Sequence, residues 1–128
     1  MRRTIQSGTE WEAAVGYARA VRVDRQVFVS GTTAVNADGA LVGEGDARAQ
    51  TVFVLQKIAA ALEEAGASMA DVVRTRIFVT DIDTWETIGR AHGEVFAAVR
   101  PACTMVEVSR LVAPGMLVEI EADAVCDA

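Results

Sequence analysis

The sequence predicts an α/β domain of the α+β kind, a mixed β-sheet with two helices packed on one face. Three observations carry this reading. Short β-rich runs fill the early part of the chain, two segments of helical periodicity flank a single strand in the middle, and the last quarter alternates apolar and polar residues. Strands first, then helix, strand, helix and a closing pair of strands make a layered arrangement in which each helix buries one stripe against the sheet. With 128 residues, 52% of them apolar, the chain is expected to form one domain over residues 1–128 whose core needs neither disulfides nor metal.

Arg19-Ala-Val-Arg-Val23 and Gln26-Val-Phe-Val-Ser30 are β-rich runs separated by Asp24-Arg25, which predicts a hairpin. Thr32 to Val42 reads as further extended chain, interrupted at Asn36-Ala-Asp-Gly39, where Asp-Gly supplies the positive φ of a tight turn. Asp46 is the expected N-cap of the first helix. Its apolar stripe is Val52, Leu55, Ala59 and Leu62, and Gly66 stands where a C-terminal cap belongs. Val72 to Thr80 follows as a strand, with Ile77 and Val79 on one side and Arg74, Arg76 and Phe78 on the other. Asp83-Thr-Trp-Glu86 has capping-box spacing and opens a second helix to about Val99, with a stripe of Trp85, Ile88, His92, Val95 and Val99. Pro101 ends it.

The closing segment, Pro101 to Val125, reads as two strands joined through Val112-Ala-Pro-Gly115 as a hairpin. Alternation sorts Cys103, Met105, Glu107 and Ser109 onto one face and Thr104, Val106, Val108 and Arg110 onto the other. It likewise sorts Leu117, Glu119, Glu121 and Asp123 against Val118, Ile120, Ala122 and Ala124. With the aliphatic sets turned to the helices, the opposite face would combine Cys103, Met105 and Leu117 with Glu119 and Glu121. Such a face is too apolar for solvent and too acidic for a dry core, so it is expected to meet copies of itself in closed symmetry.

Composition removes several function classes. The net charge of −6, without a basic run, opposes the electrostatic attraction that dominates nucleic-acid binding. No apolar run approaches the roughly 20 residues of a membrane span, and Met1-Arg-Arg-Thr-Ile-Gln-Ser-Gly8 has no apolar signal core, so a cytoplasmic protein is expected. Cys103 and Cys126 are too few for a disulfide framework, and one histidine leaves no cluster of metal-ligand spacing. Gly8, Gly39, Gly43 and Gly45 lack the spacing of a phosphate cradle, so no nucleotide site, metal or other cofactor is expected. His92 and Trp85, on the helical stripe, are read as packing residues, and Cys126 as incidental.

Pro101-Ala-x-x-x-Val-Glu-Val108, a short turn and Val118-Glu-Ile-Glu-Ala122 resemble the C-terminal signature of the Rid family, the reactive intermediate deaminases, also called YjgF or L-PSP-like proteins. Gly16-Tyr17, Val27-Phe-Val-Ser-Gly31, Glu64-Ala-Gly66, Asp71-Val-Val and Phe78-Val-Thr-Asp81 extend the similarity almost end to end. The resemblance implies a chorismate-mutase-like homotrimer with small-molecule clefts between subunits. It also implies an arginine two residues after the motif proline that grips a substrate carboxylate, and an acid on the last strand that positions the water hydrolysing an imine. Carried over by motif, Glu119 is that acid, while Tyr17 and Gly31 are substrate contacts. Cys103 stands at the arginine position, and Met105, on the same strand face, joins the substrate-binding set.

Cys103 is the departure. A guanidinium offers a permanent charge and two parallel donors to a carboxylate; a thiol is one weak donor, and the exchange costs on the order of 2 to 5 kcal/mol of ligand binding. Nothing beside Cys103 in sequence would make it a reactive thiolate, because Glu107 on the same face raises a thiol pKa. The leading expectation is therefore a Rid-like trimer that binds a small metabolite without the arginine-dependent 2-imino acid deaminase activity, hydrolysing another imine-type bond or binding without turnover. Two alternatives stand beside it. One is an ordinary imine deaminase releasing ammonia, with Arg19, Arg74, Arg76 or Arg100 holding the carboxylate; the other is a non-catalytic binding or scaffold protein.

Overall fold

The computed structural model describes residues 1–127. Six strands form one sheet, β1 (Arg2–Ile5), β2 (Ala20–Val23), β3 (Gln26–Thr32), β4 (Val72–Val79), β5 (Ala102–Glu107) and β6 (Val118–Val125), in the order β1-β2-β3-β6-β4-β5. Three helices accompany them, α1 (Glu10–Val15), α2 (Ala47–Glu64) and α3 (Trp85–Phe96). The expected mixed sheet with two packed helices is present. Strand β1 and the six-residue α1 are additions, too short for a periodic signal to stand out. Among the described residues no helix is long and apolar enough to cross a membrane.

The β2–β3 hairpin turns at Asp24, whose φ of 53° supplies the left-handed twist that joins Val23 to Gln26. The Asn36 turn also forms: Asn36 Oδ1 accepts from the amides of Asp38 and Ala40, and Val35 bridges to Leu41. Asp46 caps α2 by accepting from the Ala49 amide at 3.0 Å, and Gly66, with φ 84°, turns the chain out of the helix. Gly16 closes α1 in the same left-handed conformation, so Gly16-Tyr17 is a helix exit.

Three expectations are corrected. The C-terminal hairpin does not form: β5 pairs with β4 in parallel and β6 pairs with the other side of β4 and with β3, both antiparallel. A parallel neighbour requires a crossover, and α3 supplies it between β4 and β5. Alternation reports which residues share a face of one strand and cannot report which strand lies alongside. Consequently Cys103 stands beside Thr75 and Met105 beside Ile77, on the helix-covered face, while Glu119 stands beside Phe78 and Glu121 beside Arg76 on the opposite face. The grouping of Cys103 and Met105 with Glu119 on one face of a single chain is thus replaced.

The second correction concerns the start of α3. Asp81, not Asp83, caps the 3-10 turn Ile82–Thr84 by accepting from the Asp83 amide, and Thr84 precedes the helix without a side-chain cap. The third concerns its stripe. Ile88, Ala91 and Phe96 are buried, whereas Trp85 and Val95 are exposed, because α3 ends at Phe96 and is rotated to set Ala91 toward α2. His92 packs as read: its Nε2 lies 2.9 Å from Thr75 Oγ1 and its ring 4.6 Å from that of Phe96, and burial lowers its pKa.

The core lies between the sheet and the two long helices. Val54, Ile58 and Leu62 of α2 meet Val118, Ile120 and Ala122 of β6 and Ile77 of β4, and each large aliphatic side chain buried there is worth about 1.5–3 kcal/mol. One polar residue is set inside it. Gln50 is fully buried; its Nε2 donates to the carbonyls of Gly43 and Gly115, and its Oε1 accepts from the Leu117 amide at 2.9 Å. It ties the start of α2 to the connection entering β6, and the bonds offset the burial of the amide. Gln50→Leu removes those bonds while keeping the volume, and is expected to lower unfolding free energy by about 2 kcal/mol in urea titration.

Candidate functional site

Where α1, the end of β3, the following loop and β6 converge, a cleft of about 210 Å³ opens, lined by Trp11, Tyr17, Arg19, Gly31, Thr33, Lys57 and Glu119 among others.

Gly31 occupies a register break between Val29 and Thr32, the bulge that re-aims the end of β3. Its φ lies in the ordinary region, so glycine matters here for space: a Cβ at this position would meet the Glu119 carboxylate and oblige that side chain to move. The Glu119 carboxylate therefore lies directly against the Gly31 backbone, a close approach that a side chain would prevent. Ser30 Oγ donates to the Ala18 carbonyl at 2.7 Å, and Arg19 Nη2 to the Gly31 carbonyl at 2.6 Å, locking the bulge to the segment that enters β2.

Arg19 is the centre of the site's electrostatics. Its guanidinium carbon lies 5.9 Å from the centre of the Tyr17 ring, and its Nε is buried without an acceptor among the described residues. An unmet buried donor costs about 1–3 kcal/mol, a penalty of the kind found at sites shaped for purposes other than stability. Burial pushes the Glu119 carboxyl above the usual carboxylate range; the Arg19 charge opposes that rise and Glu121 adds to it. Glu12 of α1 is also desolvated, but bonds from Ser7 and Thr9 and the Arg19 charge outweigh burial and lower its pKa.

Lys57 and Trp11 enter the cleft without having been anticipated from sequence. Lys57 Nζ donates to the carbonyls of Thr33 and Val35, each at 2.8 Å, and burial, aided by Arg19 and opposed by Glu12, takes its pKa down to about 8. A signal for it existed: Lys57 falls between buried Val54 and Ala61 at helical spacing, a charge where an apolar stripe would be expected. Trp11 belongs to α1, which carries no pattern of its own.

Of the sequence-derived residues, Tyr17, Gly31 and Glu119 are brought together in this cleft, and Cys103 and Met105 are not among its lining. Cys103 is exposed on the edge strand β5, while Met105 packs partly against the core. Arg19 is the one arginine of the four considered that lines the cleft. Arg76 pairs with Glu121 at 3.1 Å and Asp123 at 3.3 Å on the sheet face, and Arg100, at φ 55°, donates to the Ala97 carbonyl. Cys126 is buried beside the β2–β3 turn, its carbonyl accepting from Arg25. Among the described residues no group of His, Cys, Asp and Glu has the arrangement of a metal site.

Comparison with known proteins places this geometry in a lineage. The family described as Endoribonuclease L-PSP matches residues 7–126. Rv2704 of Mycobacterium tuberculosis, described as a member of the YjgF/YER057c/UK114 family, is 50% identical, superposes with a TM-score of 0.89, and the match covers 98% of this chain and 99% of that one. YyfA of Yersinia pestis, from the Rid protein family, is 33% identical with a TM-score of 0.86 over 98% and 99% of the two chains. Escherichia coli TdcF, solved with bound serine, is 30% identical with a TM-score of 0.78 over 85% and 87%. With the sheet order, the crossover and the family match agreeing over nearly its whole length, the chain belongs to the L-PSP family, the YjgF or Rid proteins.

Proposed function

We propose that the cleft binds a small carboxylate-bearing metabolite and hydrolyses an imine-type C–N bond, with Arg19 supplying the cationic charge that Cys103 does not. The observation that carries this reading is the Glu119 carboxylate, lifted in pKa by burial and lying against Gly31 in a cleft that also holds Arg19. A carboxylate whose pKa is raised is a stronger base than an ordinary one, and so better suited to accept a proton from water. In the proposed step that water adds to the imine carbon as Glu119 takes its proton and the nitrogen takes one from solvent; Glu119 then passes its proton to the carbinolamine nitrogen, and as the C–N bond breaks the hydroxyl gives its proton to the freed carboxylate, releasing ammonia and a 2-oxo acid. TdcF, with its bound serine, supports a small amino-acid-like ligand for proteins of this fold.

A second reading, binding without turnover, is favoured by one detail: Arg19 Nη2 is already committed to the Gly31 carbonyl, which leaves its guanidinium less free to form a bidentate pair. We further propose a homotrimer. Phe28, Val106 and Val125 are exposed on the sheet or its edge, and β5 presents an unpaired edge, so self-association would cover apolar surface and could bring Cys103 of one copy toward the cleft of another.

Hydrolysis of freshly generated 2-aminoacrylate and a branched-chain 2-imino acid, measured against the spontaneous rate, is expected to be accelerated by the wild type and reduced about a hundredfold or more by Glu119→Gln. A silent wild type that gains activity as Cys103→Arg would instead establish the second reading. Because the folded Glu119 pKa is raised, its protonated form is the better accommodated one; stability from this group is present at low pH and declines as pH rises through the folded value. Glu119→Gln is therefore expected to melt at or slightly above the wild-type temperature at neutral pH while losing activity. Light scattering at micromolar concentration is expected to show one trimeric species, and a monomer would remove any role for a site between subunits.

A further inference from the structure

We infer that Lys57 is a nucleophilic lysine, poised in the cleft to capture the carbonyl group of a small aldehyde or 2-oxo acid as a reversible Schiff base. The chemistry is separate from that proposed for Glu119. It forms a covalent bond to the protein and needs an amine lone pair, and it shares with the proposed function only the opening that both residues line.

The inference starts from composition. Lys57 is the only lysine of the chain; every other of its 12 Lys and Arg residues is an arginine. A guanidinium keeps its proton throughout the working pH range of a protein, whereas an ammonium gives its proton up when water is withdrawn from it. The one cationic side chain able to become a nucleophile is half-buried on α2 and lines the cleft.

The hydrogen bonds around its nitrogen fit the neutral form. Nζ lies 2.8 Å from the carbonyl oxygens of Thr33 and Val35, which can only accept. An ammonium has three hydrogens to give, and among the described residues the third has no acceptor; an amine has two hydrogens and a lone pair. No carboxylate among the described residues forms an ion pair with Nζ that would hold its proton in place. With both hydrogens of the amine spent on the two carbonyls, the lone pair is the part of the nitrogen left to react.

The surroundings act in the same direction. Trp11, Val15, Val35 and Val112 give the cleft apolar wall. Desolvation takes the Lys57 pKa down to about 8, with Arg19 adding to the fall and Glu12 of α1 opposing it, so about a tenth of the population is neutral at pH 7. A desolvated amine near a second cation is the arrangement that activates lysine toward carbonyl carbon. In that capture the lone pair attacks the carbonyl carbon, a C–N bond forms, and one amine proton passes through solvent to the carbonyl oxygen. The resulting hydroxyl leaves as water with the second amine proton, and a C=N bond joins Lys57 to the captured carbon. Water adding back reverses the sequence, and nothing is oxidised or reduced.

The test is trapping with sodium cyanoborohydride, which delivers hydride to the imine carbon and fixes the adduct as an amine, with propanal and pyruvate as separate probes and peptide mass spectrometry as the readout. The α-amino group of Met1, exposed and 3.0 Å from Asp24, is the chain's other primary amine and serves as internal reference. Folded protein at pH 7 is expected to acquire the label at Lys57. The ratio of Lys57 to Met1 labelling is expected to fall at least tenfold in guanidinium chloride, where Lys57 regains the pKa of an ordinary lysine while Met1, already exposed, changes little. Labelling by pyruvate above that by propanal would name a 2-oxo acid as the occupant, the reverse an aldehyde, and either supports the inference. Folded protein labelled at Met1 alone, or a ratio unchanged by unfolding, would overturn it; both are read on the wild type, so no variant has to fold. Capture at Lys57 in a protein that hydrolyses no imine would overturn the proposed reaction and leave this inference standing, and hydrolysis without capture would do the opposite.

Discussion

The placement of β6 between β3 and β4 is the constraint on which the rest depends. A strand paired on both sides has its two faces assigned at once, and in β6 they are opposite in character: Val118, Ile120, Ala122 and Ala124 are buried beneath the helices, while Glu119, Glu121 and Asp123 stand on the other face. A slip of one residue would drive three carboxylates into the core, a cost of several kcal/mol for each charge, so the register is held from both directions. That same register delivers Glu119 to the end of β3. The bulge at Gly31 then decides how near the carboxylate comes.

Around this strand the protein buries or half-buries charge and holds it with neutral groups. Arg19 is tied to the Gly31 carbonyl, Lys57 to the carbonyls of Thr33 and Val35, and Glu12 to Ser7 and Thr9. Among the described residues none of these forms a close ion pair, in contrast to Arg76, which pairs with Glu121 and Asp123 on the sheet, and Arg48, which pairs with Glu94 on the surface. The distinction has a physical consequence. Exposed or half-exposed pairs contribute little and are screened, whereas tethered but unpaired charges keep their field for a ligand that brings the missing sign.

Family membership and the position of Cys103 fit together once the sheet order is known. β5 is an edge strand joined to the domain through β4 alone, so residue 103 lies two strands from Glu119 and on the other face. A side chain there can act on the cleft only through assembly. Residue 103 is not among the lining of the single-chain cleft, whose cations are Arg19 and Lys57.

The sequence by itself determined the elements with strong local signals. The hairpin at Asp24-Arg25, the Asp46 cap and Gly66 exit of α2, strand β4, the two faces of β6 and the packing role of His92 all arise from turn chemistry, capping and periodicity, which act within a few residues. Motif resemblance further named Tyr17, Gly31 and Glu119, which the fold gathers into one cleft. Only the tertiary structure decided that β5 and β6 flank β4 instead of pairing, that Cys103 and Met105 face the helices, and that Arg19 and Lys57 reach the cleft. Those outcomes depend on which strand lies beside which and where a long side chain ends, and neither is encoded in local alternation, because a period of two is the same for a hairpin and for a crossover.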